Sequence, residues 1–448
     1  MTDLATLALR VQLPGFPGRT LDDDARALFA EGLGGLCLFG TNTEAGPDAV
    51  AGLTQTIRDL APGAVIAVDE EGGDVTRLHA AGGSPVLGAA ALGVVPMTGF
   101  AALVLTSATG ARSSVIPTRS FGSDPDRAAR HVAAWVTGLQ STGVAGCVKH
   151  FPGHGDTAAD SHLELPTVTA DLTTLTEREL VPFAAAVACG TRAVMTSHLL
   201  TPALDPTLPA TLSRGVLGML RERLAFDGVI VTDALDMAGV SGTRSIPDAA
   251  VLALDAGADL LCLGGSTDPV LVRDIQRGVV DAVRAGRLAE ERLRDAAARL
   301  DLLPPLSTTS PADSVDDAAQ LAGARRALEV DGPLPDLAGA TVVRVTTRAS
   351  IAIGDVPWGM PSDLAVTPGA DDVPGTGPVV LQVRDAHRHP DIASLVARLL
   401  DRARPVVLVE WGWPGHYEGP APRLRTHGFS RPMVAAVSEV LRAAGWDR

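Results

Sequence analysis

Residues 144–162 read VAGCVKHFPGHGDTAADSH, in which a short apolar run passes into a loop crowded with titratable side chains. The run before Lys149 is continuous rather than alternating, which is typical of a parallel strand covered on both faces. In parallel α/β folds, the residues that do chemistry gather where such strands end. The stretch therefore predicts a buried strand that carries a functional loop at its carboxyl end.

The same pattern recurs along the first two thirds of the chain. Short apolar runs predict strands at 7–14, 35–39, 64–68, 144–149, 192–198, 229–232 and 259–263. Helical patterns lie between them at 21–31, 47–60, 125–141, 177–188 and 213–224. This alternation fits an α/β fold, and a single TIM-type (β/α)8 barrel accounts for it better than two doubly wound sheets. We predict a catalytic barrel over 1–305.

The composition changes after the barrel. Residues from Leu302 onward are rich in Pro, Ser and Thr, which predicts a linker and a helix over 306–335. A second β/α stretch follows, with strands at 340–345, 379–383 and 406–409 and a helix at 433–443. The remaining length predicts a small, shortened α/β domain over 336–448.

Composition and charge exclude several classes of protein. The chain has 448 residues, 46% of them apolar, which excludes a disordered tail or a miniature held together by disulfides. The net charge of −15 excludes a basic nucleic-acid-binding surface as a property of the whole chain. The sequence has no signal peptide pattern and no long apolar segment, so we expect a cytoplasmic protein without membrane contact.

The four cysteines and the single lysine carry further information. Cys37, Cys147, Cys189 and Cys262 are widely spaced, and we expect buried reduced thiols. Of the 37 Lys and Arg residues, 36 are Arg, so the chain does not depend on Lys for solubility. Lys149 then indicates a place where a compact ammonium does what a planar guanidinium cannot, although its survival by chance is the simpler alternative.

Two further clusters follow predicted strands. Residues 67–77 read AVDEEGGDVTR, in which Asp69 ends a strand and two glycines allow a tight turn. Residues 229–237 read VIVTDALDM, in which Asp233 follows a wholly apolar strand. A carboxylate in that position suits chemistry at the strand end, and the alternative is a helix N-cap.

The loop after Lys149 holds the densest set of titratable groups. Within 149–162 the chain places three of its ten histidines and two aspartates beside the only lysine. The spacing includes good zinc ligands, but Pro152 and two glycines break any helix that would align His150 with His154, so we predict no metal. Asp160 and His162 suit acid/base work, because the carboxylate can hold one imidazole nitrogen while the other faces substrate. An exposed loop histidine is the alternative.

The segment KHFPGHGDTAADSH resembles the signature of glycoside hydrolase family 3, in its β-N-acetylglucosaminidase branch. AVDEEGGDVTRL, VIPTRSFGSDP and FDGVIVTDALDM resemble further segments of that family, in the same order. The resemblance implies that Asp233 is the nucleophile and that His162, oriented by Asp160, is the general acid/base. It also implies residues that hold the hydroxyls and acetamide of the sugar: Asp69, Arg77, Arg119, Lys149 and His150.

The resemblance implies a retaining exo-β-N-acetylglucosaminidase without a cofactor, acting on peptidoglycan fragments or chitooligosaccharides. A β-glucosidase, a phosphorylase of the same family and a non-catalytic sugar-binding homologue are the alternatives. Two departures from the family pattern accompany it. Asp74 stands where the family has arginine, and residues 78–119 are fewer than the family has there. One βα unit of the barrel is therefore expected to be abbreviated or replaced.

Overall fold

The computed structural model describes residues 3–94, 117–157, 161, 163–242, 244–304, 315–347, 353–354, 356–370, 372–417 and 419–448. Its first two thirds carry seven strands: β1 (Gln12–Leu13), β2 (Gly35–Leu38), β3 (Val65–Val68), β4 (Cys147–Phe151), β5 (Ala193–Thr196), β6 (Val229–Val231) and β7 (Leu261–Cys262). The helices of this part are α1 (Leu4–Arg10), α2 (Asp23–Ala30), α3 (Gly40–Thr43), α4 (Pro47–Leu60), α5 (Ala89–Gly93), α6 (Pro125–Ser141), α7 (Leu172–Thr174), α8 (Leu180–Ala188), α9 (Arg214–Gly218), α10 (Ala238–Ser241), α11 (Ile246–Ala256), α12 (Pro269–Arg284) and α13 (Glu290–Arg299). Single π-helical turns lie at Leu175–Glu179 and Met219–Arg223.

The seven strands are joined side by side. Parallel ladders pair β2 with β3, β1 with β7, and β4 with β5 and β6. The Cys37 N–H donates to Pro14 O at 2.8 Å and the Thr232 N–H to Leu260 O at 2.9 Å, which joins the three groups. The order is therefore β3-β2-β1-β7-β6-β5-β4. The predicted abbreviated βα unit would lie between β3 and β4, and residues 95–116 of that interval are outside the described residues.

The strands are apolar because both of their faces are covered. One set of side chains, including Leu13, Val229 and Cys262, packs within the curve of the strands. Helices cover the outer side, and α12 presents Val272, Ile275 and Val279 to it at helical spacing. The α/β fold predicted from the alternation is confirmed. All four cysteines are free thiols; Cys37 and Cys262 are buried as expected, whereas Cys147 and Cys189 are only partly buried.

One predicted strand is wrong over most of its length. Residues 7–10 belong to α1, and only Gln12–Leu13 of the range 7–14 forms a strand. Asp3 accepts a hydrogen bond from the Thr6 N–H and caps the helix, whose buried face includes Leu7 and Ala8. A short continuous apolar run fits a buried helix as well as a strand, so its pattern could not separate the two.

The last third of the chain forms a second sheet. Its strands are β8 (Glu329–Asp331), β9 (Thr341–Val345), β10 (Leu364–Val366), β11 (Val379–Val383), β12 (Val406–Glu410) and β13 (Arg423–Arg425), in the order β10-β9-β11-β12-β13-β8. All pairs are parallel except β13 with β8. The helices are α14 (Asp317–Ala327), α15 (Pro390–Asp401) and α16 (Arg431–Ala443). Strand β8 lies in the range 306–335 that we predict as linker and helix.

This second unit, called here the C-terminal domain, packs on the segment after β3. The Leu87 N–H donates to Gln320 Oε1 at 3.0 Å, and the Arg431 N–H donates to Ser84 O at 2.9 Å. The contact therefore reaches the chain that follows Asp69. Within the described residues, none of the helices has both the length and the apolar character needed to cross a membrane.

Candidate active site

Lys149 joins the ends of β3 and β4. Its Nζ lies 2.5 Å from Asp69 Oδ1 and 3.2 Å from Glu71 Oε1. The lysine side chain is 9% exposed, whereas that of Asp69 is 32% exposed. Asp69 is therefore paired and still accessible to a ligand. Lys149 thus lies between two carboxylates, and its functional role stays a prediction.

Glu71 and Arg119 form the buried base of the site. Arg119 donates from Nε to Glu71 Oε2 at 2.9 Å and from Nη2 to Oε1 at 2.7 Å. Both side chains are only 6% exposed. A two-point pair of this kind fixes orientation as well as charge. Sequence reasoning did not select Glu71, although it stands two residues after Asp69 and directly before the two glycines.

Charge pairing controls protonation in this cluster. Burial alone would raise the pKa of Asp69, but the neighbouring Lys149 ammonium holds it well below its usual range. Burial alone would lower the pKa of Lys149, but Asp69 and Glu71 raise it above its usual value. Burial is likewise outweighed at Arg119, whose pKa is raised first by Glu71 and then by Asp69 and Asp233. The carboxylate of Asp69 and both cations stay charged at neutral pH.

Asp233 follows β6 and lies beside His150. His150 Nε2 is 3.9 Å from Asp233 Oδ2, and the two side chains are 9% and 14% exposed. The Asp233 N–H donates to Thr196 Oγ1 at 3.4 Å, and the Ala234 N–H donates to Asp233 Oδ1 at 2.9 Å. The alternative of a helix N-cap is wrong, because the next helix, α10, has Met237 at that position.

Arg77 connects the site to the C-terminal domain. Its Nη1 donates to Ile353 O at 3.0 Å, and its charge also lowers the pKa of Asp69, after the larger effect of Lys149. The half-buried guanidinium therefore lies between Asp69 and the second unit of the chain. The role of Arg77 in holding the sugar stays a prediction.

The loop that carries the predicted acid/base pair is held by His154. This buried histidine places Nδ1 2.9 Å from Thr157 Oγ1 and Nε2 3.0 Å from Ser161 Oγ. Ser161 stands between Asp160 and His162, which lie outside the described residues. Among the residues the structure does describe, no group of three or more His, Cys, Asp or Glu side chains could hold a metal ion.

The described site brings together three carboxylates and three cations at the strand ends: Asp69, Glu71, Asp233, Arg77, Arg119 and Lys149. Charged groups that accept and donate hydrogen bonds suit a ligand rich in hydroxyls, since each hydroxyl both donates and accepts. Asp233 adds a partly exposed carboxylate at a strand end, the position that α/β barrels use for catalysis. The α/β fold and this site together fit the class of enzymes that act on sugars.

Known proteins agree with this class. Residues 90–303 match the family described as Glycosyl hydrolase family 3 N terminal domain. A beta-hexosaminidase of Methylococcus capsulatus is 34% identical over 261 residues, which are 53% of this chain and 78% of that protein. A beta-hexosaminidase of Pseudomonas aeruginosa is also 34% identical, over 57% of this chain and 82% of that protein.

Solved structures extend the likeness to the whole chain. The structure of a family 3 beta-N-acetylglucosaminidase from Paenibacillus sp. FPU-7 superposes with a TM-score of 0.82 and 26% identity, covering 99% of this chain and 97% of that one. A family 3 glycosyl hydrolase from Mycobacterium smegmatis gives a TM-score of 0.57 and 28% identity over 68% of this chain and 100% of that one. The chain belongs to glycoside hydrolase family 3 and is a glycosidase, as the resemblance predicted.

Proposed function

We propose that the chain is a retaining exo-β-N-acetylglucosaminidase that removes terminal β-linked N-acetylglucosamine. The observation that carries the proposal is the accessible Asp233 carboxylate beside His150, at the same strand ends as the Asp69–Lys149 pair. The names of the 34% identical relatives, both beta-hexosaminidases, and of the Paenibacillus structure support the choice of sugar.

The described residues divide into two roles in this proposal. Asp69 accepts hydrogen bonds from sugar hydroxyls, because its carboxylate is charged and a third exposed. Lys149 and Arg77 keep that carboxylate ionised, and with Arg119 and His150 they orient the terminal sugar. Asp233, whose Oδ2 lies 3.9 Å from His150 Nε2, is left for the reacting carbon.

The reaction that fits these roles is a double displacement. An Asp233 oxygen attacks the anomeric carbon, the glycosidic bond breaks, and His162 donates its proton to the leaving oxygen. Water then attacks the glycosyl-aspartate, gives its proton back to His162 and releases the sugar with its original configuration. Asp160 orients His162 in this scheme, and both remain assigned by resemblance.

The test is chromophore release from an aryl β-N-acetylglucosaminide by the purified chain. Turnover by the wild type and its loss in Asp233→Ala support the proposal. Asp281→Ala is the matched control, because Asp281 lies on the exposed side of α12 with its side chain 70% exposed. Absence of turnover in the wild type would overturn the proposal and leave a sugar-binding homologue.

The finer assignments need separate measurements. A slow fluorinated substrate that labels the peptide containing Asp233, detected by mass spectrometry, would support the covalent step. Aryl glucosides compared with aryl N-acetylglucosaminides separate a β-glucosidase, and a rate that rises with phosphate separates a phosphorylase. We propose peptidoglycan fragments as the substrate and the cytoplasm as the location. The four free thiols support a reducing compartment.

A further inference from the structure

Asp74 is the tip of a tight turn between the sugar-binding residues Asp69 and Arg77. The Glu71 N–H donates to Val75 O at 3.0 Å and the Val75 N–H donates to Gly72 O at 3.3 Å. Gly72 and Gly73 both have positive φ, +79° and +57°, which this turn requires. The turn thus starts two residues after Asp69 and ends two residues before Arg77.

The barrel holds the base of this turn. Glu71 is bound by Arg119 and lies 3.2 Å from Lys149, as described above. Glu70 accepts hydrogen bonds from the backbone N–H groups of Arg77 and Leu78, both at 2.8 Å. Two neighbouring glutamates therefore fix where the turn leaves β3 and where it returns.

The C-terminal domain holds the tip. Arg384, the residue after β11, donates from Nη2 to Asp74 Oδ1 at 3.0 Å, and the Phe429 N–H donates to the same oxygen at 3.1 Å. The Asp74 and Arg384 side chains are 2% and 4% exposed. Arg384 in turn lies over the ring of Trp358, 5.2 Å from its centroid. Removal of either partner of such a buried pair is costly, because the other charge would be left buried and unpaired.

The C-terminal domain makes a second contact near this turn. Arg77 Nη1 donates to Ile353 O, so the C-terminal domain touches the turn at its tip and again where it ends. Gly83 also packs on Phe429, since a Cβ at that glycine would meet the ring at 2.4 Å. The C-terminal domain thus contacts the chain after Asp69 at three residues: Asp74, Arg77 and Gly83.

We propose that Asp74 and Arg384 are positioning residues for sugar binding, through which the C-terminal domain sets the placement of Asp69 and Arg77. An arginine at residue 74 could not form this pair, so the negative charge at residue 74 and the arginine at residue 384 belong together. The kinetic part of the inference rests on the proposed function.

The kinetic test uses the full chain with Arg384→Met, Asp74→Asn and the double variant. Asp69 and Arg77 bind the sugar in the ground state and in the transition state, so their displacement raises KM by about tenfold while kcat changes less than about threefold. The two single effects should not add, because both variants break one pair. Arg384→Lys keeps a cation beside Asp74 and should recover most of the lost affinity.

Arg325→Met is the matched control, because it removes an arginine of the same domain from an exposed pair with Glu439. KM of Arg325→Met should equal that of the wild type. Melting temperatures are measured for all variants, and kinetics are compared well below them. A lower melting temperature with wild-type KM would make the pair merely structural and overturn the inference, as would additive single effects.

A second measurement does not depend on turnover. Hydrogen exchange of the peptide 69–78 should be faster in Arg384→Met than in the wild type and in Arg325→Met. If the wild type turned over no glycoside, the proposed function would fail while this exchange result still reported the coupling. Unchanged exchange in Arg384→Met would overturn the coupling itself.

Discussion

The Nζ of Lys149 lies 2.5 Å from Asp69 Oδ1 and joins a residue of β4 to the residue that follows β3. These are the two end strands in the order of the described sheet, so the pair lies where the barrel would close. The same ammonium lies 3.2 Å from Glu71 Oε1. One cation therefore serves two carboxylates, and its removal should affect both stability and sugar binding.

Lys149→Met is expected to lower the free energy of unfolding by about 2 kcal/mol. This is less than the cost of breaking a fully buried pair, because Asp69 is 32% exposed and Arg119 still neutralises Glu71. KM should rise as well, since Asp69 loses the charge that orients it. Denaturant unfolding and steady-state kinetics check both effects. Arg273→Met, which breaks a more exposed pair with Glu31, should change neither by a comparable amount.

Acid stability should depend on Asp69. Its pKa is lower in the folded chain than its unfolded value of about 3.9. The folded state therefore binds fewer protons than the unfolded state in this range, and stability is lost as the pH falls from about 5 through about 3. The melting temperature of Asp69→Asn should fall less steeply over this range than that of the wild type. A parallel fall in both would contradict the assignment, and Asp281→Asn should match the wild type.

Most strands of the first two thirds of the chain could be predicted, because each is a short apolar run that is visible in the sequence itself. The strands β2 to β7 lie within the predicted ranges or overlap them closely, and helices α4 and α6 have the predicted bounds. Strand β10 (Leu364–Val366) was not predicted. Strands β8 and β13 were not predicted either, since Glu329–Asp331 and Arg423–Arg425 are polar segments. They are held by cross-strand ion pairs, such as Arg425 with Asp331 at 2.8 Å, whose partners are far apart in sequence.

The site also contains residues that the sequence could predict and residues that it could not. Asp69 and Asp233 could be predicted because a carboxylate directly after an apolar strand is visible in the sequence alone. Glu71 and Asp74 could not, because their importance comes from Arg119 and Arg384, which only the folded chain brings to them. The cluster of acidic residues in 69–74 indicates a functional segment. Distant residues decide which of these carboxylates faces a ligand and which pairs with the protein.

His150 should matter for catalysis through its place beside Asp233. With its Nε2 3.9 Å from Asp233 Oδ2, the imidazole limits where a sugar hydroxyl or the reacting carbon can lie. His150→Ala is expected to lower kcat/KM by about 100-fold, because misplacement of reacting groups is costly even when all of them are present. His79→Ala changes an exposed histidine, and this control should keep wild-type kinetics. A decrease below about threefold for His150→Ala would contradict its role in the site.

Asp259 offers the opposite case, a carboxylate at the amino end of a strand. It is completely buried before β7, where it accepts hydrogen bonds from Arg221 at 2.5 Å, from the Ile230 N–H at 2.8 Å and from Arg292. Asp259→Asn conserves the shape of the side chain but removes the buried charge that Arg221 and Arg292 share, which should cost about 3 kcal/mol of unfolding free energy. Because the proposed catalytic residues lie at the other ends of the strands, kcat/KM of the folded protein should be unchanged. Asp233→Asn should do the reverse, abolishing turnover while the unfolding free energy stays near that of the wild type. Denaturant unfolding and kinetics on the two variants side by side measure this contrast, and a loss of kcat/KM in stable, folded Asp259→Asn would refute the division of the two strand ends.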